Sequence, residues 1–263
     1  MAVDAVSYAK SFTDDIEFSP ENPNIIYAAS WEVNRKPWTI VSGSKDGGIY
    51  KSIDAGKNWI KLSKGLPNGN IGKIDLAVTP ADPHRLYALV EAEKGQGGVY
   101  VSYNKGSQFK AMSHRKELVN RPFYYCNIYA HPKNADVIYS SANKFMISMD
   151  AGKTWEIRET PHGDNHDIWI NPNDDNIWIQ SNDGGGNVTF NSGKTWTTQF
   201  NQPTAEIYQV EVDDQYPYWL YGGQQDNSSV KIASIGIGSS GICLLYTSPS
   251  PRDRTRSRMP SSA

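Results

Sequence analysis

Cysteine is nearly missing from this chain: there are two in 263 residues, Cys126 and Cys243. Two thiols cannot build a disulfide framework, so the fold has to rest on its own packed core. No apolar run approaches the length of a membrane span, and no stretch sustains the 3.6-residue periodicity of an amphipathic helix. The first residues, MAVDAVSYAKSF, have neither the basic start nor the apolar centre of a secretory signal. The expectation drawn from this is that the natural N-terminus lies further upstream. Charge is also scarce, with a net value of -2. Four arginines (252, 254, 256 and 258) stand in the last 25 residues beside a single acid, so the rest of the chain is more acidic, at 22 basic against 27 acidic residues. A mildly acidic body argues against a nucleic-acid surface and leaves carboxylates available for sugars or metals. Phosphate-loop and dinucleotide signatures are absent too, because the DGGG string at Asp183 lacks a strand-to-helix context. No cofactor is expected.

What the chain does have is one octapeptide written four times: SIDAGKNW from Ser52, SYNKGSQF from Ser102, SMDAGKTW from Ser148 and TFNSGKTW from Thr189. The starts are 50, 46 and 41 residues apart, a period that points to a repeated supersecondary unit. Alternating runs such as GGVYVS and WEIRE flank each copy, which predicts two short strands joined by a tight turn. Within it Asp54, Asn104, Asp150 and Asn191 are placed to accept hydrogen bonds from the turn's own backbone. Gly56, Gly106, Gly152 and Gly193 supply a positive φ. The closing aromatics Trp59, Phe109, Trp155 and Trp196 are large enough to fill the space between neighbouring sheets. Each unit adds two strands upstream, separated by a Pro/Asn/Asp turn, as in IGKIDLAVTP-ADPHR-LYALVEA. Four strands per unit is the blade of a propeller.

These residues resemble the Asp-box, or bacterial neuraminidase repeat, of sialidases, xyloglucanase-type glycosidases and sortilin-type luminal domains. The resemblance implies an all-β propeller with the boxes on the face away from the binding site. Longer phrases, RPFYYCNIYAHPKNADVIY, HGDNHDIWINPNDDNIWIQSNDGGGNVTFNSGKTW and NQPTAEIYQVEVDDQYPYWLYGGQQDNSSV, are similar to large bacterial propeller proteins with a sortilin-like N-terminal region, often labelled glycosyl hydrolases. That similarity implies export, to an extracellular or periplasmic location, and further blades as partners of these. The expected organisation is an unassigned segment 1–15, about four and a half four-stranded blades over 16–232, and a tail over 233–263. The tail's phrase LLYTSPSPRDRTRSR resembles translated sequencing adapter.

If the boxes mark one face, the loops entering each first strand and leaving each second strand share the other. They carry Trp31, Arg35, Trp38, Arg121, Tyr124, Tyr125, His166, Gln224, Gln225 and Asp226 as candidate ligand contacts for a glycan or a peptide. Glycoside hydrolysis needs two carboxyl groups flanking the scissile bond. Asp164 and Asp183 are the candidate pair and Glu91 the reserve acid. The alternative reading of these residues is structural: Asp164 caps a turn, Asp183 makes an Asx turn before three glycines, and the Trp residues pack between blades. In HGDNHD an extended backbone would put His162, Asp164 and His166 on one side, which is the basis for a candidate metal site.

Overall fold

The computed structural model describes residues 12–199, 201–202, 206–225, 229–235 and 246–248. The chain divides into two compact units, Met1–Gln199 and Phe200–Ala263. In the first unit, β1 (Phe12–Phe18), β2 (Ile26–Trp31), a projecting ribbon of β3 (Val33–Lys36) and β4 (Thr39–Ser42), β5 (Gly48–Ser52) and β6 (Ile60–Leu62) come first. The second group is β7 (Ile71–Val78), β8 (Leu86–Ala92), β9 (Gly98–Ser102) and β10 (Lys110–Ser113). A 3₁₀ turn, Lys116–Val119, precedes β11 (Asn127–Ala130), β12 (Ile138–Ser141), β13 (Phe145–Ser148) and β14 (Glu156–Arg158). The unit ends with β15 (Asn165–Ile170), β16 (Trp178–Asn182) and β17 (Gly185–Thr189). The sheet orders are β1-β2-β5-β6, β7-β8-β9-β10, β11-β12-β13-β14 and β15-β16-β17, with β3-β4 as a separate ribbon. The second unit is one sheet of β18 (Ile207–Val212), β19 (Trp219–Gln224), β20 (Ser229–Ala233) and β21 (Tyr246–Ser248).

Strand periodicity explains how the sheets of the first unit stack. In LYALV of β8, Leu86, Ala88 and Val90 join a core with Tyr27, Ala29 and Ile49 of the first sheet. The alternate residues Tyr87 and Leu89 pack with Ile128, Ile138 and Met146 of the third. A stretch buried on both faces must be apolar, and Leu86 to Val90 is, with Glu91 following where burial lessens. The third sheet repeats the device, with Tyr139, Phe145 and Ile147 packed on Ile168, Ile170 and Trp178 of the fourth. Burying each such side chain contributes about 1.5–3 kcal/mol.

The repeated turns are built as the octapeptides suggested. Ser148 Oγ accepts from Gly152 N at 2.8 Å and donates to Asp150 Oδ1 at 2.8 Å. Asp150 in turn accepts from Thr154 N at 2.9 Å, and Trp155 Nε1 closes onto Gly152 O at 3.0 Å. Asp54 does the same work and is held at about 2 by the side chain and backbone of Asn58 and by Ser52. Both central residues have positive φ, Ala151 at 61° and Gly152 at 90°, so the reversal is tighter than the glycine alone implied. Phe109, Trp155 and Trp196 reach the cores shared with the preceding sheet.

Four local expectations change. The first strand begins at Phe12, and the stretch read as a long loop after Trp31 folds back as the β3–β4 ribbon. The fourth sheet has three strands. Val188 N is taken by the Thr197 hydroxyl at 2.9 Å, and Gln199 turns its amide onto Asn182 and Asn187 at 2.6 and 2.7 Å. In the second unit Tyr246–Ser248, inside the segment read as tail, pairs with β20.

Candidate functional site

The innermost strands begin irregularly. Register shifts fall between Thr13 and Asp15 on β1, between Ile71 and Ile74 on β7, and between Asn165 and Asp167 on β15. Each is a bulge that inserts extra backbone at the same level of the unit and re-aims the side chains there. On β7 the bulge lies opposite Glu91, whose Oε2 accepts from Lys73 N at 2.9 Å. The same oxygen accepts from Ser42 Oγ at 2.6 Å, and Ser42 accepts from Trp31 Nε1 at 3.0 Å. Gly72 leaves the room this needs, since a Cβ there would meet the Glu91 carboxylate. Glu91 therefore ties the first sheet to the second.

Beside it lies a ladder of rings and guanidinium groups. Trp31 meets Phe123 edge-on at 5.5 Å, and Phe123 meets Tyr124 at 5.7 Å. The Arg35 guanidinium, carried out on the β3–β4 ribbon, lies 5.4 Å from the Phe123 ring and 5.7 Å from Tyr124. Arg121 lies over Tyr124 at 4.8 Å and Tyr125 at 5.4 Å. Tyr124 is thus flanked by two arginines, and half of it stays exposed. Trp38, at the ribbon's tip, is 79% exposed.

The ladder ends at a carboxylate. Asp164, at φ 50°, accepts from Tyr125 Oη and Asn143 Nδ2, both at 2.7 Å, with Arg121 at 3.7 Å. Partial burial works to raise its carboxyl, but the hydrogen bonds from Tyr125 and Asn143 and the charge of Arg121 outweigh it and hold the group below the usual range. Such a group stays ionised at neutral pH, so it suits a base or an ion-pair partner rather than a proton donor. Asp183 approaches Asp164 through its backbone, N to O at 3.3 Å, while its side chain accepts from or pairs with His166 Nε2 at 2.6 Å. The two residues meet through their backbones, and their carboxyl groups have different partners.

The positive φ at Asp164 breaks the alternation on which the metal reading of HGDNHD relied. Asp164 turns to Tyr125, His166 to Asp183, and His162 Nδ1 to the Gly163 carbonyl at 3.0 Å. Among the described residues no three His, Cys, Asp or Glu side chains are grouped to hold a metal. Gln224 and Gln225 belong to the second unit, where Gln224 pairs with Ile207 in the ladder and Gln225 N donates to Glu206 O at 2.9 Å. Asp226 lies outside the described residues.

Sequence reasoning passed over the groups that hold this site. Phe123 joins Trp31 to the arginines, and its signal was the aromatic run in RPFYYC. Beneath His166 and Asp183 runs a buried amide chain: Gln180 donates to Asn165 at 2.5 Å, Asn182 to Gln180 at 2.9 Å and Asn187 to the Thr197 carbonyl at 2.8 Å. With every member bonded, such a network fixes the strands that carry the pair.

No family model matches the chain, and no curated protein matches it in sequence. Solved structures do. A GH74 xyloglucanase from Xanthomonas campestris aligns over 90% of this chain and 38% of its own, at 16% identity and a TM-score of 0.51. The GH74 enzyme of Niastella koreensis aligns over 90% and 37%, at 15% identity and 0.53. YCF48, solved bound to D1 peptide, aligns over 88% and 68%, at 12% identity and 0.50. The chain is a β-propeller fragment. Its sheets are blades, about four and a half of them, and it spans well under half the length of the GH74 enzymes it resembles. Among the described residues no helix is long and apolar enough to cross a membrane.

Proposed function

We propose that this propeller segment belongs to an exported, sortilin-like protein of the Asp-box class, and that it binds an extended ligand, a glycan or a peptide, across the face opposite the repeated turns. The observation that carries the reading is Tyr124 flanked by Arg35 and Arg121 with an exposed face. Stacked guanidinium groups keep their N–H edges free for ligand oxygens, and exposed rings offer the flat contact that sugars and peptide side chains both use. Similar folds are found both in xyloglucanases and in a protein solved with a bound peptide, so both ligand classes enter the test. The test is screening of the full chain on glycan and peptide arrays, followed by titration of the best ligand against Tyr124→Ala and Arg35→Ala. Each is expected to weaken binding about tenfold, equivalent to about 1.4 kcal/mol, without lowering the melting temperature. Undiminished binding by both variants would remove this face as the site.

A second reading is hydrolysis of a polysaccharide, favoured by one observation: Asp164 is an ionised carboxylate whose backbone is hydrogen-bonded to that of a second acidic residue, Asp183. In that reading Asp164 is the base or nucleophile, and the acid is Asp183, Glu91 or a group from another blade. Turnover of xyloglucan by a longer protein, unchanged in Asp164→Asn, would exclude it.

A further inference from the structure

At the other end of the innermost strands, nearer the repeated turns, lies a cleft of about 190 Å³ between β1, β7, β11 and β15. Its walls are Val78, Ala130, Ile168 and Ile170, with Tyr129 and Trp169 presenting rings and Glu17 the one carboxyl. The four strands align as DIEF, DLAV, NIYA and DIWI, so Glu17 stands where the other blades have Ala77, Tyr129 and Trp169. Three of the four blades line this level with uncharged residues. The fold therefore does not require an acid there.

Three neighbouring acids on these strands are engaged, while a fourth, Asp14, keeps one buried oxygen, Oδ2, without a partner. Asp15 accepts from Leu76 N at 2.7 Å, Asp75 from Ile128 N at 2.6 Å and Asp167 from Ile168 N at 2.7 Å. Glu17 has no hydrogen-bond partner among the described residues, and burial, with some help from Asp15, pushes its carboxyl up to about 8. Its raised value favours the protonated carboxyl near neutral pH, in a largely apolar cleft that opens to solvent. A cation would reverse that state, because an opposite charge within a few ångströms favours the ionised carboxylate.

We propose that this cleft binds a small apolar ammonium group, an alkyl- or arylamine, with Glu17 as its counter-ion and the rings of Tyr129 and Trp169 beside it. The size is suitable: a dry cavity of roughly 150 Å³ holds a benzene ring, so this one takes a ring with a short chain. Aromatic faces attract ammonium groups, and more strongly where water is excluded. The exchange balances as written: a protonated Glu17 and an ammonium ligand give an ion pair and one proton released to solvent. A neutral ligand of the same shape releases none. The site is separate from the aromatic ladder and does not depend on the ligand bound there.

The test is calorimetric titration of the full chain with phenethylamine and with its neutral isostere 2-phenylethanol, at pH 7, in two buffers of different ionisation enthalpy. Saturable amine binding at least tenfold tighter than the alcohol, with up to one proton released, is the expected result. Glu17→Gln keeps the shape and is expected to lose both the amine preference and the proton release. Ala130→Leu fills the cleft and is expected to lose both ligands, which checks the location independently. Equal affinity for amine and alcohol, full amine affinity in Glu17→Gln, or no saturable heat with either ligand would each overturn the proposal.

Discussion

Asp75 offers a test of how the blades are joined. It is buried on β7, and its Oδ2 accepts from Ile128 N of the next blade at 2.6 Å. Burial raises its carboxyl well above the usual range, Asp15 adds to this, and the Ile128 N–H and Lys73 only partly offset it. The third blade solves the same problem without charge: Asn127, at the aligned position, donates to His166 O of the fourth blade at 2.7 Å. Asp75→Asn therefore keeps an acceptor for Ile128 N and removes the ionisable group. Asp75→Ala removes both, leaving a buried N–H unpaired at a cost of about 1–3 kcal/mol.

The pH dependence separates the two effects. An acid whose folded value is raised contributes stability that is fully present below its unfolded value, near 4, and lost as pH rises through the folded value. Asp14, raised to about 6, Asp15, and Glu17, raised to about 8, share this sign with Asp75. One pK unit is worth about 1.4 kcal/mol, so the rise of Asp14 from 3.8 to about 6 corresponds to about 3 kcal/mol before solvent at its rim reduces it. Asp54 and Asp164 are lowered and act in the opposite sense, but only in more acid solution. The chain is thus expected to be more stable at pH 5 than at pH 8. Urea titrations followed by tryptophan fluorescence at pH 5, 6.5 and 8 read this directly. Asp75→Asn should gain about 1–3 kcal/mol over wild type at pH 8 and almost nothing at pH 5, while Asp75→Ala should lose at every pH. If Asp75→Asn is as damaging as Asp75→Ala throughout, the carboxylate is needed as a charge and the argument from burial fails.

Gly152→Ala puts a Cβ 2.9 Å from Val99 Cγ1 at a φ of 90°, and about 2–4 kcal/mol of stability should be lost, read as a fall in the urea midpoint. Ser148→Ala leaves Gly152 N without its 2.8 Å acceptor and should cost about 1–3 kcal/mol in the same assay, with Gly152→Ala in the same background adding less than its own full effect. Asp164→Asn should lower stability by less than about 1 kcal/mol at pH 7, because the group's contribution is present above its unfolded value and lost as pH falls through the folded one. The gap to wild type should close in more acid solution, and a gap that persists once the carboxyl is protonated would mean that packing, not charge, holds the loop.

The four octapeptides made the propeller legible because their chemistry is local. Ser148, Asp150, Gly152 and Trp155 satisfy one another within eight residues, so spacing alone reveals them. The ligand-facing side was legible only as a set of loops. Its decisive contacts join residues far apart in sequence, such as Trp31 with Phe123, Ser42 with Glu91 and Tyr125 with Asp164. No periodicity announces such pairs, and the one local pattern read there, HGDNHD, misled because a single positive φ at Asp164 turned alternate side chains apart. Between these extremes lies a column visible in the sequence yet unread: Asp15, Asp75, Asn127 and Asp167, each followed by an aliphatic residue four or five places before the next turn. Two of its acids reach across to the backbone of the following blade, and Asn127 reaches across by its amide. Polar residues inside an apolar strand pattern were the signal. They mark where one blade's innermost strand, whose inner edge has no ladder partner, borrows its hydrogen bonds from the blade before it, which is why stability at Asp15 and Asp75, and not at the repeated turns, should answer to pH between 5 and 8.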